Sequence, residues 1–458
     1  MKSYFASEAL LPEGWKRDVR IALDDAGDIA SVEHGASSSG AQPLAGPLLP
    51  GMANLHSHAF QRAMAGLTET RGDPHDDFWT WRELMYRFVA RLTPEQAQAI
   101  ARFLYIEMLR NGYTAVGEFH YVHNASDGAP YAEPAELALR HLEAARAAGI
   151  AFTCLASLYA HSNFGRRSLL PRQKRFRSDP AAILRIAEAV KRAAGENPQF
   201  SVGVAPHSLR AVDPAELAEL VEGSARLGEN VPIHIHAAEQ QKEVEDCLAW
   251  SVKRPVEWLL ESAEIDGRWC VVHATHMTPG ETRGLAASGA VAGLCPTTEG
   301  NLGDGVFPLL DYRAAGGRFG IGGDSHVSRD PAEELRLLEY VQRLAHRRRN
   351  LNVGERSAAV GTTLWLEAAA GGAHALGRRA GAIEAGRRAD LVVLDAGNPD
   401  LAAHSGDGIA NALVFSGASG LVRDVMVGGK WVVRKGRHPL AQEAVAAYRL
   451  AVAALIAQ

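Results

Sequence analysis

Two pairs of histidines, each with one residue between its members, are the first side chains whose types and spacing could do chemistry. His56 and His58 stand in LPGMANLHSH, and His234 and His236 stand in VPIHIHAAEQ, both apolar and strand-like stretches. On a strand, residues i and i+2 project from the same face. Two imidazoles on one face form half of a tetrahedral zinc site. An HxH pair occurs often by chance, so packed core histidines are the alternative at this point.

Further candidate metal ligands follow other apolar runs. WCVVHATH contains His273, RFGIGGDSH contains Asp324, and Glu239 follows the second histidine pair. Three histidines and one aspartate from different strands make a nitrogen and oxygen donor set that leaves room for water. Structural zinc sites are usually closed and rich in cysteine, so this set favours a catalytic metal ion.

The histidines as a group concentrate at the ends of predicted strands. Of the 18 histidines in the chain, the following lie at or within about three residues of the C-terminal end of such a strand: His56, His58, His120, His123, His161, His207, His234, His236, His273, His276 and His326. Scattered core or surface histidines would not collect there. In a parallel β/α barrel, the C-terminal ends of the strands carry the catalytic residues.

The elements that would position these residues are short apolar runs that alternate with amphipathic stretches rich in Ala, Leu and Glu. This alternation is typical of βα units and a parallel sheet. Eight strands are predicted, namely LPGMANLH, TAVGEFHY, IAFTCLASLY, FSVGVAPH, VPIHIHA, WCVVHATH, AVAGLCP and RFGIGGD. Helices are predicted for TPEQAQAIARFLYIEMLRNG and DPAELAELVEGSARLG, which carry Thr-Pro and Asp-Pro start signals. We therefore predict an α/β fold with a (β/α)₈ TIM-like barrel over residues 49–375.

Both ends of the chain have the rhythm of short β-strands instead. RDVRIALDDAGDIASVEHG lies near the N-terminus, RADLVVLD lies after the barrel, and DVMVGGKWVVRKG reads as a hairpin around Gly428 and Gly429. The prediction is a discontinuous β-sandwich domain made of residues 1–48 and 376–439, followed by a C-terminal helix over residues 440–458.

Composition bounds the function classes. The chain has 458 residues, 47% of them hydrophobic and 22% charged, and its net charge is −5. It has no basic run, so neither nucleic acid nor an anionic membrane is an expected partner. Its four cysteines form no CxxC pair and read as buried, reduced thiols. With no apolar signal segment near residue 1 and no membrane-length apolar run, we expect a cytoplasmic protein.

The motifs PGMANLHSH, APHSLRAV, HIHAAEQ, VVHATH, IGGDSH and GAIEAGRRADLVVLD together resemble the amidohydrolase superfamily over nearly the whole chain. The resemblance implies one divalent metal ion, with zinc expected, held by His56, His58, His236 and Asp324. The HxxE spacing selects His236 over His234, which becomes a packed or supporting residue. Binuclear members carry a lysine or glutamate on a middle strand, and IAFTCLASLYAH and FSVGVAPHSL have neither. A deaminase type with a single metal ion is therefore favoured.

The chemistry follows from these positions. A bound divalent ion lowers the pKa of water toward about 7. Asp324 can take the proton of that water, and His273 can orient the nucleophile or stabilise developing charge. Glu239 can deliver a proton to the leaving nitrogen as a general acid. The expected enzyme is a hydrolase that replaces C=NH or C–NH₂ with C=O and releases ammonia. The cytidine deaminase signature, HxE followed by PCxxC, is absent.

Two arginines indicate the substrate class. Arg82 lies in a long segment after the first strand (residues 59–88, the lid segment), and Arg210 follows the fourth strand in APHSLRAV. Two guanidinium groups converging on one pocket suit a small dicarboxylate, since each pairs bidentately with a carboxylate. A solvated helix position is the alternative for Arg82. Trp79 and Trp81 are predicted to pack the lid segment rather than to touch substrate.

Within the superfamily, the lid segment and HSLRAV most resemble the formimidoylglutamate deiminases, which convert N-formimino-L-glutamate, a linear amidine, to N-formyl-L-glutamate and ammonia in histidine degradation. The resemblance implies a homodimer. It also implies substrate contacts from the following residues: Gln61, Arg82, Tyr121, His207 and Arg210. HYVH allows His120 or His123 in place of Tyr121.

Two other functions compete with this one. A ring aminohydrolase or chlorohydrolase acting on guanine, an adenosine derivative or a triazine would use the same metal ligands with a different pocket. A catalytically inactive barrel that serves as a binding scaffold would be expected to lose a ligand or the acid. Because Glu239, His273 and Asp324 are all present, the scaffold is disfavoured.

Overall fold

The computed structural model of the chain describes residues 2–70, 77–417 and 419–457. Residues 71–76 of the predicted lid segment lie outside these ranges. The strands are β1 (Lys2–Leu11), β2 (Gly14–Leu23), β3 (Ile29–Glu33), β4 (Gln42–Pro43), β5 (Leu48–Pro50), β6 (Met52–Ser57), β7 (Tyr113–His120), β8 (Ala151–Leu158), β9 (Phe200–Pro206), β10 (Ile233–Ala237), β11 (Trp269–His273), β12 (Val291–Leu294), β13 (Arg318–Ile321), β14 (Leu391–Leu394), β15 (Val422–Val427) and β16 (Lys430–Val433).

The α-helices lie mostly between the strands of the barrel. They are α1 (Phe78–Arg91), α2 (Pro94–Arg110), α3 (Glu136–Ala148), α4 (Pro180–Ala194), α5 (Pro214–Gly223), α6 (Gln241–Ser251), α7 (Pro255–Ser262), α8 (Pro279–Ala287), α9 (Pro296–Leu302), α10 (Leu309–Ala314), α11 (Pro331–His346), α12 (Val360–Ala375), α13 (Asp407–Phe415) and α14 (Ala441–Ile456).

Strands β6 to β13 form the predicted parallel barrel. Each pairs with the next in chain order, and a bridge between Ser57 and Asp324 joins the last strand region to the first. Within the described part of the chain this sheet has eight strands, and all eight predicted strands are present in it. The predicted TIM-like fold is confirmed.

The first barrel strand is shorter than the apolar run LPGMANLH suggests. Its first two residues belong to β5, which pairs with β1 and β14 in the other sheet, and β6 begins only at Met52. Gly51 separates the two strands, and a Cβ on it would lie 2.4 Å from the Thr114 side chain. A continuous apolar run hides this change of sheet because both strands are buried on both faces.

The second sheet combines both chain ends, as predicted for the small β domain. Its order is β16-β15-β14-β5-β1-β2-β3, and β4 pairs with β1. The predicted hairpin joins β15 to β16 through Gly428 (φ 52°) and Gly429 (φ 76°). Two successive positive φ angles define a type I′ turn, and glycine adopts them without strain.

Local capping explains where the helices that frame the barrel mouth begin. Thr93 caps α2 and exchanges hydrogen bonds with Gln96, and Asp213 caps α5 in the same way with Glu216. Asp77 caps α1, the described helix of the lid segment, by accepting from the backbone of Trp79. The two helices predicted from Thr-Pro and Asp-Pro start signals, α2 and α5, are confirmed.

Packing of Leu55 against neighbouring strands anchors β6, the strand that carries the first histidine pair. Leu55 is fully buried, and Cβ atoms added at Gly293 and Gly320 would lie 2.9 and 2.5 Å from its side chain. These glycines on β12 and β13 leave the space that Leu55 fills, which anchors β6 in the barrel.

Two further sequence predictions concern the cysteines and the membrane. The four cysteines are all free and buried, as predicted. Across residues 2–70, 77–417 and 419–457, no helix has both the length and the apolar character to cross a membrane.

Candidate active site

Three histidines and one aspartate meet at the C-terminal mouth of the barrel. The Nε2 atoms of His56 and His236 lie 3.0 Å apart. Asp324 Oδ1 lies 3.5 Å from His56 Nε2 and 3.4 Å from His58 Nε2. Ligand atoms of the three histidines all lie within 4.8 Å of one another, so one ion can reach them all.

The surroundings of the histidines fit a divalent metal ion. His58 Nδ1 lies 2.9 Å from the carbonyl oxygen of Phe119, and His236 Nδ1 lies 2.9 Å from that of His207. Each Nδ1–H therefore donates to a carbonyl and leaves the Nε2 lone pair facing the common centre. Burial lowers the pKa values of His56, His58 and His236, which keeps the rings neutral as ligands must be.

Asp324 is held at this centre by an unusual backbone conformation. Its φ is 48°, in the left-handed region that costs energy for a residue with a side chain. Its N–H donates to the His56 carbonyl at 2.9 Å, and its own carbonyl accepts from the His58 N–H at 3.0 Å. Strain of this kind persists where the surrounding contacts hold it, and such positions cluster at functional sites.

A second group of charges lies beside the four candidate ligands. His273 Nε2 lies 3.7 Å from Glu239 Oε1 and 3.8 Å from Asp324 Oδ2, and its Nδ1 lies 3.3 Å from Glu299 Oε1. Burial lowers the pKa of His273, but the nearby carboxylates outweigh it and raise the pKa to about 10. Burial raises the pKa of Glu239 to about 7, against the opposing effects of His273 and Arg210. A carboxyl group with this pKa can give and take a proton near neutral pH.

The cavity above the ligands contains about 540 Å³ of space, part of it open to solvent. Aromatic, charged and amide side chains line it together: His58, Gln61, Phe78, Trp81, Arg82, Met85, Tyr86, Tyr121, Tyr159, Phe176, His207, Arg210, His236, Glu239, His273, Leu302 and Asp324. All five substrate residues implied by the family resemblance are in this lining.

Arg82 and Arg210 both lie beside the ring of Trp79. Their Cζ atoms lie 5.1 and 5.8 Å from its centroid, and Arg82 also lies 5.3 Å from the centroid of Tyr86. Arg210 is 7% exposed, and its NH2 atom lies 3.9 Å from Glu239 Oε2. Trp79, predicted to pack the lid segment, therefore supports both guanidinium groups as well.

The three neutral substrate candidates contact other residues of the lining or of the segments next to it. Gln61 Nε2 donates to the Tyr121 hydroxyl at 2.9 Å. The His207 ring lies 4.9 Å from the His236 ring, and its Nδ1 lies 3.2 Å from Ser208 Oγ. The Oε1 atom of Gln61 is buried without a hydrogen-bond partner among the described residues, which leaves it available to a ligand.

The histidines that the sequence left as alternatives lie elsewhere. His123 Nε2 lies 2.7 Å from the Ser157 carbonyl oxygen, and the His120 ring packs against His123 and His141 outside the cavity lining. His234 Nε2 lies 2.8 Å from the Ala375 carbonyl oxygen, one layer deeper in the barrel than His236.

A separate cluster of His161, Asp213 and Glu216 also has its ligand atoms within 4.8 Å of one another. Glu216 and Asp213 cap α5, and His161 Nε2 lies 3.0 Å from Glu216 Oε2. The Arg166 guanidinium lies 2.9 Å from Asp213 Oδ2, so one of the two carboxylates of this cluster is already paired with a cation.

Several residues at the site were missed by sequence reasoning. Tyr159 follows β8 in LASLY. It lies at the C-terminal end of a strand, as the candidate histidines do, so its location was predictable from the sequence. Tyr86 is on α1, and only the orientation of that helix over the barrel brings it to the cavity. Glu118 accepts hydrogen bonds from Ser57 Oγ (2.6 Å) and the Ala59 N–H (2.8 Å), which braces the strand end between His56 and His58.

Comparisons with known proteins agree with the barrel fold. The model of the amidohydrolase family matches residues 48–432, and that of the N-terminal domain of formimidoylglutamate deiminase matches residues 1–45. A formimidoylglutamate deiminase from Pseudomonas aeruginosa is 54% identical over 96% of this chain and 96% of its own. A crystal structure of an amidohydrolase from Brucella melitensis superposes with a TM-score of 0.94, at 46% identity and full coverage of both chains. An adenosine deaminase from Xanthomonas campestris with bound zinc shares the fold, with a TM-score of 0.82, 21% identity, and coverage of 100% and 98%.

Proposed function

This chain belongs to the amidohydrolase family, and from that premise we propose that it hydrolyses N-formimino-L-glutamate to N-formyl-L-glutamate and ammonia. The observation that carries the proposal is the pair of guanidinium groups, Arg82 and Arg210, around one aromatic ring at the mouth of a metal-ligand cluster. Two carboxylates on one small substrate would satisfy both charges. The high identity to the Pseudomonas aeruginosa deiminase supports the same substrate.

We propose that His56, His58, His236 and Asp324 hold one divalent ion, and that this ion is zinc. Imidazole nitrogens and carboxylate oxygens are ligand types that catalytic zinc sites use. When bound, such an ion polarises the substrate and lowers the pKa of water toward about 7, which supplies a nucleophile at neutral pH.

The chain's own residues manage the protons of the reaction. Asp324 has Oδ1 toward the histidine ligands and Oδ2 toward His273, so its carboxylate can accept a proton from water at this centre. Glu239, with a pKa raised to about 7 chiefly by burial, can hold a proton for the leaving nitrogen. Water adds its oxygen to the formimino carbon, and the bond from that carbon to the terminal imino nitrogen breaks. This nitrogen leaves as ammonia with the two protons of the water, which the two carboxyl groups relay to it.

His273 stands between the two carboxyl groups. Burial lowers its pKa, but the carboxylates of Glu239, Glu299 and Asp324 outweigh burial and raise the pKa, which favours the positively charged ring. A fixed positive charge here stabilises the negative charge that develops on the substrate. Glu299 accepts a hydrogen bond from Nδ1 of this ring and holds the ring in that orientation.

The test is a substrate panel with ammonia release as the readout. N-formimino-L-glutamate should be turned over, while guanine, adenosine derivatives and triazines should not. Ammonia from a purine alone would overturn the proposal in favour of a ring aminohydrolase, the function of several relatives below 30% identity.

We further propose that the enzyme acts as a cytoplasmic homodimer in histidine degradation, without a nucleic acid or membrane partner. The family resemblance and the absence of a basic run support this setting. Light scattering of the purified chain tests the dimer, and growth on histidine as the nitrogen source after deletion of the gene tests the pathway.

A further inference from the structure

A buried amide holds two tyrosines at the wall of the cavity. Gln173 ends a short 3-10 turn (Pro171–Gln173) and is fully buried. Its Nε2 lies 2.9 Å from the Tyr159 hydroxyl and 3.1 Å from the Tyr86 hydroxyl. Its Oε1 accepts from the Leu170 N–H at 2.9 Å. Neither the resemblance to the deiminases nor the proposed mechanism assigns a role to these three side chains.

The partners of Gln173 fix the direction of these hydrogen bonds. Because the Leu170 backbone can only donate, Oε1 must be the acceptor, and Nε2 is left to donate to both tyrosines. Each hydroxyl then accepts from Gln173 and keeps its own proton. A hydrogen bond from one hydroxyl to the other can use only one of these two protons, so at least one O–H is left to donate elsewhere.

The free proton belongs to the hydroxyl of Tyr86 or of Tyr159, and both residues line the cavity. Burial raises the pKa of Tyr159, so the hydroxyl keeps its proton over the working pH range. Arg82 lies over the Tyr86 ring at 5.3 Å, and both Arg82 and Arg210 interact electrostatically with Tyr159. This part of the wall therefore presents two guanidinium groups and a hydroxyl donor, which together suit a carboxylate.

We propose that Tyr86 and Tyr159 are specificity-determining residues that donate a hydrogen bond to one carboxylate of the substrate, and that Gln173 is a positioning residue that sets their donor polarity. The proposal rests on the proposed function, since it assigns a contact to one of the two carboxylates of that substrate. A purely structural role would leave the three side chains as packing between α1 and the barrel.

The decisive variants change polarity while keeping shape. Tyr159→Phe and the double variant Tyr86→Phe/Tyr159→Phe remove the donors. Gln173→Glu turns the buried donor into an acceptor, so the hydroxyl protons turn inward and away from the substrate. Gln342→Glu is the matched control. Gln342 lies in α11, is 1% exposed, donates to the Phe307 carbonyl, and is not part of the cavity lining.

Steady-state constants are measured with N-formimino-L-glutamate and with two analogues that each lack one carboxylate, the N-formimino derivatives of 2-aminobutyrate and 4-aminobutyrate. An analogue that is not turned over is measured by its inhibition constant. A hydrogen bond to a charged group corresponds to about a tenfold to hundredfold change in affinity. We expect Gln173→Glu and the double tyrosine variant to raise KM for the diacid by this factor with little change in kcat. The effect should vanish for the analogue that lacks the contacted carboxylate.

Three outcomes overturn the inference: unchanged KM in the tyrosine variants, equal losses for the diacid and both analogues, or equal losses in Gln173→Glu and Gln342→Glu. The second outcome assigns the cluster a structural role. The failure of the proposed function is distinct, because in that case the wild-type enzyme itself releases no ammonia from the diacid.

Discussion

Arg82 and Arg210 should not contribute equally to turnover of the dicarboxylate, although both contact the ring of Trp79. Arg210 is 7% exposed and its Nε atom is buried without a hydrogen-bond partner among the described residues. Arg82 is half-buried and stacks on Trp79 and Tyr86, so water can replace part of what it provides. The loss of Arg210 leaves a substrate carboxylate buried without its partner, which costs far more than the loss of a partly solvated contact.

The expected magnitudes follow from this difference in burial. Removing one member of a buried, hydrogen-bonded charge pair costs about 2–5 kcal/mol, or roughly 30- to 5,000-fold in kcat/KM. Removing a partly exposed charged contact costs about 1–2 kcal/mol, or roughly 5- to 30-fold. Arg210→Ala should therefore be the more damaging substitution.

The assay is ammonia release from N-formimino-L-glutamate, with circular dichroism and metal content measured on each variant. Arg283→Ala, an exposed position on α8, is the matched control and should leave kcat/KM unchanged. Arg210→Lys should recover only part of the loss, because an ammonium group lacks the planar fork that pairs bidentately with a carboxylate.

The effect on Glu239 gives a second readout of the same substitution. Arg210 lowers the pKa of Glu239, so Arg210→Ala should raise that pKa. An acid catalyst works while it is protonated, and a higher pKa therefore moves the alkaline limb of the kcat profile to higher pH. Equal losses for Arg82→Ala and Arg210→Ala, or a larger loss for Arg82→Ala, would refute the reasoning from burial.

Three further predictions concern the catalytic centre. Glu239→Gln should lower kcat by about 10²- to 10⁴-fold while metal content and folding stay normal, and wild-type kcat would contradict its role as the acid. Removal of divalent ions with a chelator should abolish turnover, and added Zn²⁺ should restore it. Activity that survives complete chelation would contradict a metal-dependent reaction. Asp324→Asn should weaken the affinity for the ion. His236→Ala should lose the bound ion as measured by metal analysis, whereas His234→Ala should keep it and lower the free energy of unfolding by about 1–3 kcal/mol, because the Ala375 carbonyl loses a buried partner. Metal loss in His234→Ala alone would reverse the assignment of the ligand.

Local patterns were enough to predict the barrel and most of its centre. Eight apolar runs with helical stretches between them indicated the strand count, and capping residues such as Thr93 and Asp213 marked helix starts. The periodicity of a strand directs His56 and His58 to one face, and strands in parallel order bring their C-terminal ends to one mouth. These properties depend on residues close together in sequence or on the common geometry of the fold.

Other features became visible only in the folded chain. Both members of the second histidine pair face inward, and their depth in the barrel separates His236 at the mouth from His234 beneath it. The run LPGMANLH is divided between two sheets at Gly51, which no periodicity within the run reveals.

The sequence by itself determined the fold class, which follows from patterns within single elements and from their order. It also predicted the candidate metal ligands and an acidic substrate, from histidine spacing, two arginines and a family resemblance. Only the tertiary structure brought Gln173, Tyr86 and Tyr159 together and put both guanidinium groups on Trp79. These contacts join residues of α1 to residues in the segments that follow β8 and β9. The packing of those elements over the barrel sets the distances between them, and no short stretch of sequence encodes such a distance.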